Sequence, residues 1–194
     1  MKFEKIETEL EGVYIIKPSI FVDNRGWFME SYNYYDFKII GINIIFIQDN
    51  HSYTAKKGTI RGIHFQINPK AQTKLVRCTK GKILDIAVDL RKGSPTYKKW
   101  IAIELSEENK NMLLIPKGFG HAFLTLKDNV EVQYKVDEYY SKEHDRSIRY
   151  DDPEININWD LEKYGIEKVI LSEKDKKAPF LKDSDVNFIW SEKA

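Results

Sequence analysis

Short runs in which apolar and polar residues alternate, broken every few residues by a turn signal, fill the middle of this chain and constrain its fold more than any other feature. Alternation in period two sends successive side chains to opposite faces of an extended strand, so such runs build half-buried sheets. The runs are Val13 to Lys17, Trp27 to Tyr32, Ile44 to Asp49, Thr59 to Gln66, Lys74 to Cys78, Ile83 to Asp89, Trp100 to Leu105, Asn111 to Ile115, Gly120 to Leu126 and Val130 to Tyr139. Turn residues separate them at Asp23-Asn24-Arg25-Gly26, Lys80-Gly81, Lys92-Gly93-Ser94-Pro95 and Lys127-Asp128-Asn129. This rhythm predicts an all-β sandwich or barrel of the jelly-roll kind. Helix is confined to Tyr34 to Ile40, ended by Gly41, and to a short turn capped by Ser106. Beyond Asp152-Pro153 the pattern loosens, with one further strand expected at Val169 to Leu171.

With 194 residues and no linker-like stretch, a single domain is expected. The 31 Lys and Arg against 30 Asp and Glu give a net charge of +1, which argues against bulk attraction to nucleic acid or to an acidic membrane. The lone Cys78 forms no intrachain disulfide and no thiolate cluster, as is usual in the cytosol. No apolar run approaches the roughly 20 residues of a membrane span, and the start of the chain lacks a signal-peptide pattern. The expectation is a cytoplasmic protein.

Two segments carry chemistry. They are Gly58-Thr59-Ile60-Arg61-Gly62-Ile63-His64-Phe65-Gln66 and Pro116-Lys117-Gly118-Phe119-Gly120-His121-Ala122-Phe123. Together they resemble the paired motifs of the cupin superfamily, a jelly-roll fold. Metal-binding cupins complete their ligand set where this chain has Gln66 and Lys70, a weak neutral donor and a cation. No metal site is therefore expected, since stable sites generally want three or four His, Cys or carboxylate groups. His64 and His121 are left to work through protons and hydrogen bonds.

A single strand histidine is more often a hydrogen-bonded filler than a catalyst. Arg61 and Gln66 beside His64 point instead to a polar cavity, because both are costly to bury unpaired. Strict alternation puts Arg61 and His64 on opposite faces, so a bulge near Gly62 is needed for both to share a pocket. If Lys80-Gly81 closes a tight hairpin, Val76 sits opposite Asp85 and Lys74 shares a face with Asp85. The plain alternative for Lys74 is a surface ion pair of about 0–1 kcal/mol. Tyr134 points inward with Val132 and Val136, as a core aromatic or as a weak acid with a phenol pKa near 10.

A wider set of motifs, in order, is similar to the dTDP-4-dehydrorhamnose 3,5-epimerase family. The set is Phe21-Val22-Asp23-Asn24-Arg25-Gly26-Trp27-Phe28, Gln48-Asp49-Asn50, Arg61 to Gln66, Lys74-Leu75-Val76-Arg77, Val88-Asp89-Leu90-Arg91, Pro116 to Phe119, Tyr134-Lys135 and Leu171-Ser172-Glu173-Lys174-Asp175. It spans roughly residues 12 to 180, with an N-terminal strand before it and a C-terminal extension after it. The resemblance implies a cupin-type jelly-roll barrel with short peripheral helices and no cofactor. It also implies a homodimer that exchanges N-terminal segments, and epimerisation at C3 and C5 of a dTDP-linked 4-keto-6-deoxyhexose.

By the same resemblance His64 is the base, Asp175 orients its imidazole, Tyr134 is the opposed acid, and Lys74, held by Asp85, stabilises the O4 oxyanion. Substrate-binding roles carry over to Arg25, Glu30, Gln48, Asn50, Arg61, His121, Tyr140 and Lys174, and weakly to Asp145, which stands where the family commonly has Glu. The family often reads Phe-Ala-His-Gly-Phe where this chain has Phe119-Gly120-His121-Ala122-Phe123, a swap expected to preserve the strand. Rival readings are an epimerase acting at one carbon or on another nucleotide-linked 4-keto sugar, a non-catalytic cupin sugar-binding module, and a metal-dependent cupin oxygenase. Gln66 and Lys70 disfavour the last, and the set His64, Lys74, Tyr134 and Asp175 disfavours mere binding.

Overall fold

The alternating runs form strands in a computed structural model that describes residues 2–191. In chain order the strands are β1 (Phe3–Glu7), β2 (Tyr14–Pro18), β3 (Phe21–Asp23), β4 (Gly26–Phe28), β5 (Gln48–Thr54), β6 (Ile60–Gln66), β7 (Lys74–Lys80), β8 (Lys82–Asp89), β9 (Trp100–Ser106), β10 (Met112–Ile115), β11 (Phe119–Thr125), β12 (Val130–Val136) and β13 (Asp145–Ser147). Helix α1 (Tyr34–Ile39) follows β4, and α2 (Glu173–Lys176) lies near the C-terminus. A six-stranded sheet in the order β1-β2-β10-β7-β12-β5 packs against a five-stranded sheet ordered β13-β6-β11-β8-β9, while β3 and β4 form a separate hairpin. The fold is the all-β, cupin-type sandwich the sequence predicts.

Packing explains the layers. Between the sheets, Val76, Cys78, Leu113 and Val132 meet Ile83, Ala87, Leu105 and Phe123. The outer face of the five-stranded sheet carries Ile63, Ile86 and Val88, which the C-terminal segment covers with Ile155, Trp159, Leu181 and Phe188. The outer face of the other sheet is covered by Phe37 of α1, by Phe3 and by Ile42. A fully buried Ile or Leu contributes roughly 1.5–3 kcal/mol, so the long C-terminal extension is held firmly to the sheet that it covers.

Four local expectations are corrected. The run Ile44 to Asp49 is not the strand: Ile44 and Phe46 pack over the outer face of the six-stranded sheet, and the strand is β5, from Gln48 to Thr54. Trp27 to Tyr32 shortens to β4, paired with β3 across the predicted turn. Lys80-Gly81 closes no paired hairpin. Val76 pairs with Leu113 and Tyr134, whereas Asp85 pairs with Phe123 and Ile103, so β7 and β8 diverge into different sheets. The strand expected at Val169 to Leu171 reduces to a single bridge between Ile170 and Thr59. Among the described residues no helix is long and apolar enough to cross a membrane.

Candidate active site

β6 is where local geometry makes the site. His121 of β11 pairs with His64, yet Phe123 pairs with Arg61, so two residues on β11 span three on β6. This is the bulge that the sequence required, and it turns Arg61 and His64 into one pocket. Gly62 makes it possible. Its φ is +125°, and a Cβ there would lie 2.5 Å from the Cβ of Ala122.

The pocket, about 170 Å³, takes His64 and His121 from the five-stranded sheet and Lys74 and Tyr134 from the six-stranded one. A larger depression of about 260 Å³ lies beside Asn50 and Tyr134. Its polar groups are already engaged: Lys135 with Asp49 at 2.8 Å, Arg77 with Gln133 at 2.7 Å, and His51 with Glu131, a residue outside its wall, at 3.0 Å. The smaller pocket is where His64, His121, Lys74 and Tyr134 meet.

His64 Nε2 lies 2.6 Å from Asp175 Oδ1. Asp175 arrives on α2, whose first turn is capped by Ser172 Oγ accepting from the Asp175 N–H. Burial alone would raise the Asp175 pKa, but the His64 hydrogen bond, the Ser172 hydroxyl and the Gly62 backbone bring it below the ordinary carboxylate value. The carboxylate therefore accepts the Nε2 proton and leaves the lone pair on Nδ1, the tautomer being assigned from this partner.

Lys74 is 8% exposed. Its ammonium lies 3.5 Å from the His64 carbonyl and 5.8 Å from the centre of the Tyr134 ring. Burial pulls its pKa down to about 8, with Asp145 and Asp85 opposing and Lys174 reinforcing the fall. Burial raises the Tyr134 phenol, with Arg61 pulling the other way, so Tyr134 is neutral near pH 7. His121 Nε2 lies 2.8 Å from Asp85 Oδ1, and burial lowers the imidazole and raises the carboxyl. Lys74 and Asp85 thus act on each other from facing sheets and not along the hairpin on which the sequence reading made their pairing depend, and Lys74 is buried and not the surface lysine of the plain alternative.

The remaining candidates divide. Arg61 lines the pocket, anchored by Nε to Thr54 Oγ1 at 3.0 Å and by Nη2 to the Tyr53 carbonyl at 3.0 Å. Asp145 and Tyr140 also line it. Lys174 binds Asp145 Oδ2 at 2.5 Å from outside. Gln48 accepts from the Tyr140 N–H and donates to Asn50, so this pair stands beside the pocket mouth. Arg25 and Glu30 do not reach the pocket of their own chain: Arg25 pairs with Asp23 on the exposed hairpin, and Glu30 with Lys2 and Asn33.

Ser52, Gln72 and Phe123 also line the pocket and were not foreseen. A signal for Ser52 exists, since Gln48, Asn50, Ser52 and Thr54 place polar groups at every second position. A strand polar on its inner face is a cavity wall.

Where a metal-binding cupin has a ligand, Gln66 instead ties the loop together, donating to the carbonyls of Lys70 (2.6 Å) and Tyr139 (3.2 Å) and accepting from the Ser141 N–H (2.6 Å). Lys70 pairs with Glu138.

An imidazole bonded to a carboxylate on one sheet, facing a neutral phenol on the other with a buried ammonium nearby, is an arrangement able to take a proton from one side of a carbon and return it to the other. On this fold it defines a cupin-type epimerase. The comparisons with known proteins agree. A family model described as dTDP-4-dehydrorhamnose 3,5-epimerase matches residues 7–183. The enzyme of that name from Shigella flexneri is 45% identical over 181 residues, covering 93% of this chain and 97% of its own. The Bacillus anthracis enzyme, solved with TDP and PPi bound, superposes with a TM-score of 0.87 at 47% identity, covering 92% and 99%. The Legionella pneumophila enzyme, solved with dTDP-4-keto-L-rhamnose, gives 0.88 at 41% identity, covering 94% and 95%. The chain belongs to the dTDP-4-dehydrorhamnose 3,5-epimerase family.

Proposed function

We propose that this pocket epimerises dTDP-4-dehydro-6-deoxy-D-glucose at C3 and C5, giving dTDP-4-dehydro-L-rhamnose, with His64 as base and Tyr134 as acid. The observation that carries the reading is the His64–Asp175 pair at 2.6 Å facing Tyr134 across the sandwich. The C4 ketone acidifies the hydrogens on both neighbouring carbons. His64 Nδ1 takes one of them as a proton, and the C–H electron pair moves into an enolate whose charge settles on O4. Lys74 stabilises that oxygen, a kind of contact worth about 2.7–4 kcal/mol in a transition state. Tyr134 then protonates carbon from the opposite face, inverting the centre. Solvent returns a proton to the phenolate and removes one from the imidazolium before the second carbon reacts.

Arg61, Asp145, Tyr140, Gln48, Asn50, His121 and Lys174 are read as substrate contacts, the cations serving the diphosphate. Arg25 and Glu30 take that role only if another protomer supplies them. The hairpin supports this, because Phe21, Val22, Trp27 and Phe28 are 56–78% exposed, an apolar surface that asks for a cover. The protein is therefore read as a cytoplasmic homodimer in which each hairpin completes the partner's pocket.

Turnover of the 4-keto sugar nucleotide in deuterated water tests the activity. Deuterium is expected at both C3 and C5; incorporation at one carbon alone would mark a single epimerase. Tyr134→Phe is expected to slow turnover and change the epimer ratio more than it suppresses exchange.

A further inference from the structure

Asp85, in the middle of β8, is fully buried. Its Oδ1 lies 2.8 Å from His121 Nε2, while its Oδ2 is buried with no hydrogen-bond partner among the described residues. A buried carboxylate oxygen without a donor is unfavourable, so its position needs a reason. The groups facing it come from two elements: His121 on β11, and Lys74 and the Cys78 thiol on β7. Burial pushes the thiol up to about 12, so it is neutral, and the groups that favour the ionised Asp85 are His121 first and Lys74 after it. The Lys74 ammonium is itself poorly satisfied, with a long 3.5 Å contact to the His64 carbonyl. Around it stand Asp145 on β13, Lys174 on α2 and the Tyr134 ring on β12, while His64 on β6 faces His121.

We propose that Asp85 is a positioning residue for the epimerisation, one carboxylate shared by two pocket groups: Oδ1 fixes the His121 ring, and the buried, unpartnered Oδ2 holds the Lys74 ammonium toward the sugar O4. The inference rests on reading Lys74 as the oxyanion's partner. The two acids that support the ammonium differ in security. Asp145 is bonded to Lys174, whose own charge opposes that of Lys74, whereas the bonded partner of Asp85 is the His121 imidazole, whose pKa burial lowers. With Asp85 neutral, Asp145 alone opposes burial at Lys74, and the ammonium loses its proton at lower pH.

The test is the pH dependence of kcat, from about pH 6 to about pH 10, for the wild-type enzyme, Asp85→Asn and Lys74→Arg. Asn is isosteric and keeps an oxygen for the His121 N–H. In the wild type an alkaline limb is expected near pH 8, where Lys74 deprotonates. Asp85→Asn should move that limb acidward by about one pH unit, roughly a fivefold loss of kcat at pH 8, with KM changed less than about twofold. Lys74→Arg, which cannot deprotonate, should lose the limb. If Lys74→Arg keeps the limb where the wild type has it, the reading of Lys74 itself fails. If that limb is lost in Lys74→Arg but unmoved in Asp85→Asn, Asp85 alone is misassigned. Should Asp85→Asn not fold, NMR of the wild-type protein decides: the Asp85 carboxyl carbon must report an inflection at the pH where the Lys74 amine titrates, and a flat Asp85 signal there overturns the proposal.

Discussion

Pulling the Lys74 ammonium out of water lowers its pKa to about 8, which costs the folded state ~3 kcal/mol at neutral pH. Between about pH 8 and the ordinary lysine value, the unfolded chain binds the proton and the folded one does not, so this group's penalty shrinks as pH rises through that window. Lys74→Met should therefore stabilise the protein by a few kcal/mol in urea unfolding at pH 7 and by much less at pH 10. The same substitution should lower kcat by roughly 10²–10³. An unchanged or lowered stability at pH 7 would mean that the ammonium is better solvated than its 8% exposure implies. Residue types in this site were legible because Arg61 and Gln66 beside His64 are out of place on a strand with an apolar core, whereas Lys74 read as a surface lysine until the family likeness gave it a role. Asp175 was not legible in that way. It meets His64 across 111 residues of chain, and no local period encodes such a contact; only the family likeness pointed to it.

The bulge in β6 ties the site to its strands. A methyl group on Gly62 would meet the Ala122 Cβ at 2.5 Å and the His121 carbonyl at 2.6 Å, at a φ that side chains rarely adopt. Gly62→Ala should destabilise the fold by at least about 2 kcal/mol, seen as a lower Tm. Gly120 is nearly as constrained, since its Cβ would lie 2.4 Å from Ile63 Cγ2, while Ala122 occupies the position that Gly62 must clear. The Gly-His-Ala order on β11 thus suits the partner strand it packs against. Period two located most of the strands, yet it failed at β5, where Ile44 to Ile47 look more strand-like than Gln48 to Thr54. The polar run is a strand because its inner face lines a cavity, so chemistry and not burial chose its residues. It failed too at Lys80-Gly81, where a turn signal marks a corner between sheets as readily as a hairpin.

At the scale of the whole molecule, the near-zero net charge conceals a pocket rich in cations, with Arg61 and Lys74 inside and Lys174 against its wall. The exposed β3–β4 hairpin makes the assembly testable. If Arg25 serves the partner's pocket, then mixing inactive His64→Asn with inactive Arg25→Glu under subunit exchange restores activity, because half of the mixed dimers' sites carry neither change. Recovery of about a quarter of wild-type activity is expected for random dimers, and none if each hairpin serves its own chain.

The central claim is that one base serves both carbons. NMR of the sugar after incubation with His64→Asn in deuterated water tests it directly. The expected result is no deuterium at C3 and none at C5; exchange persisting at either carbon at the wild-type rate would contradict it.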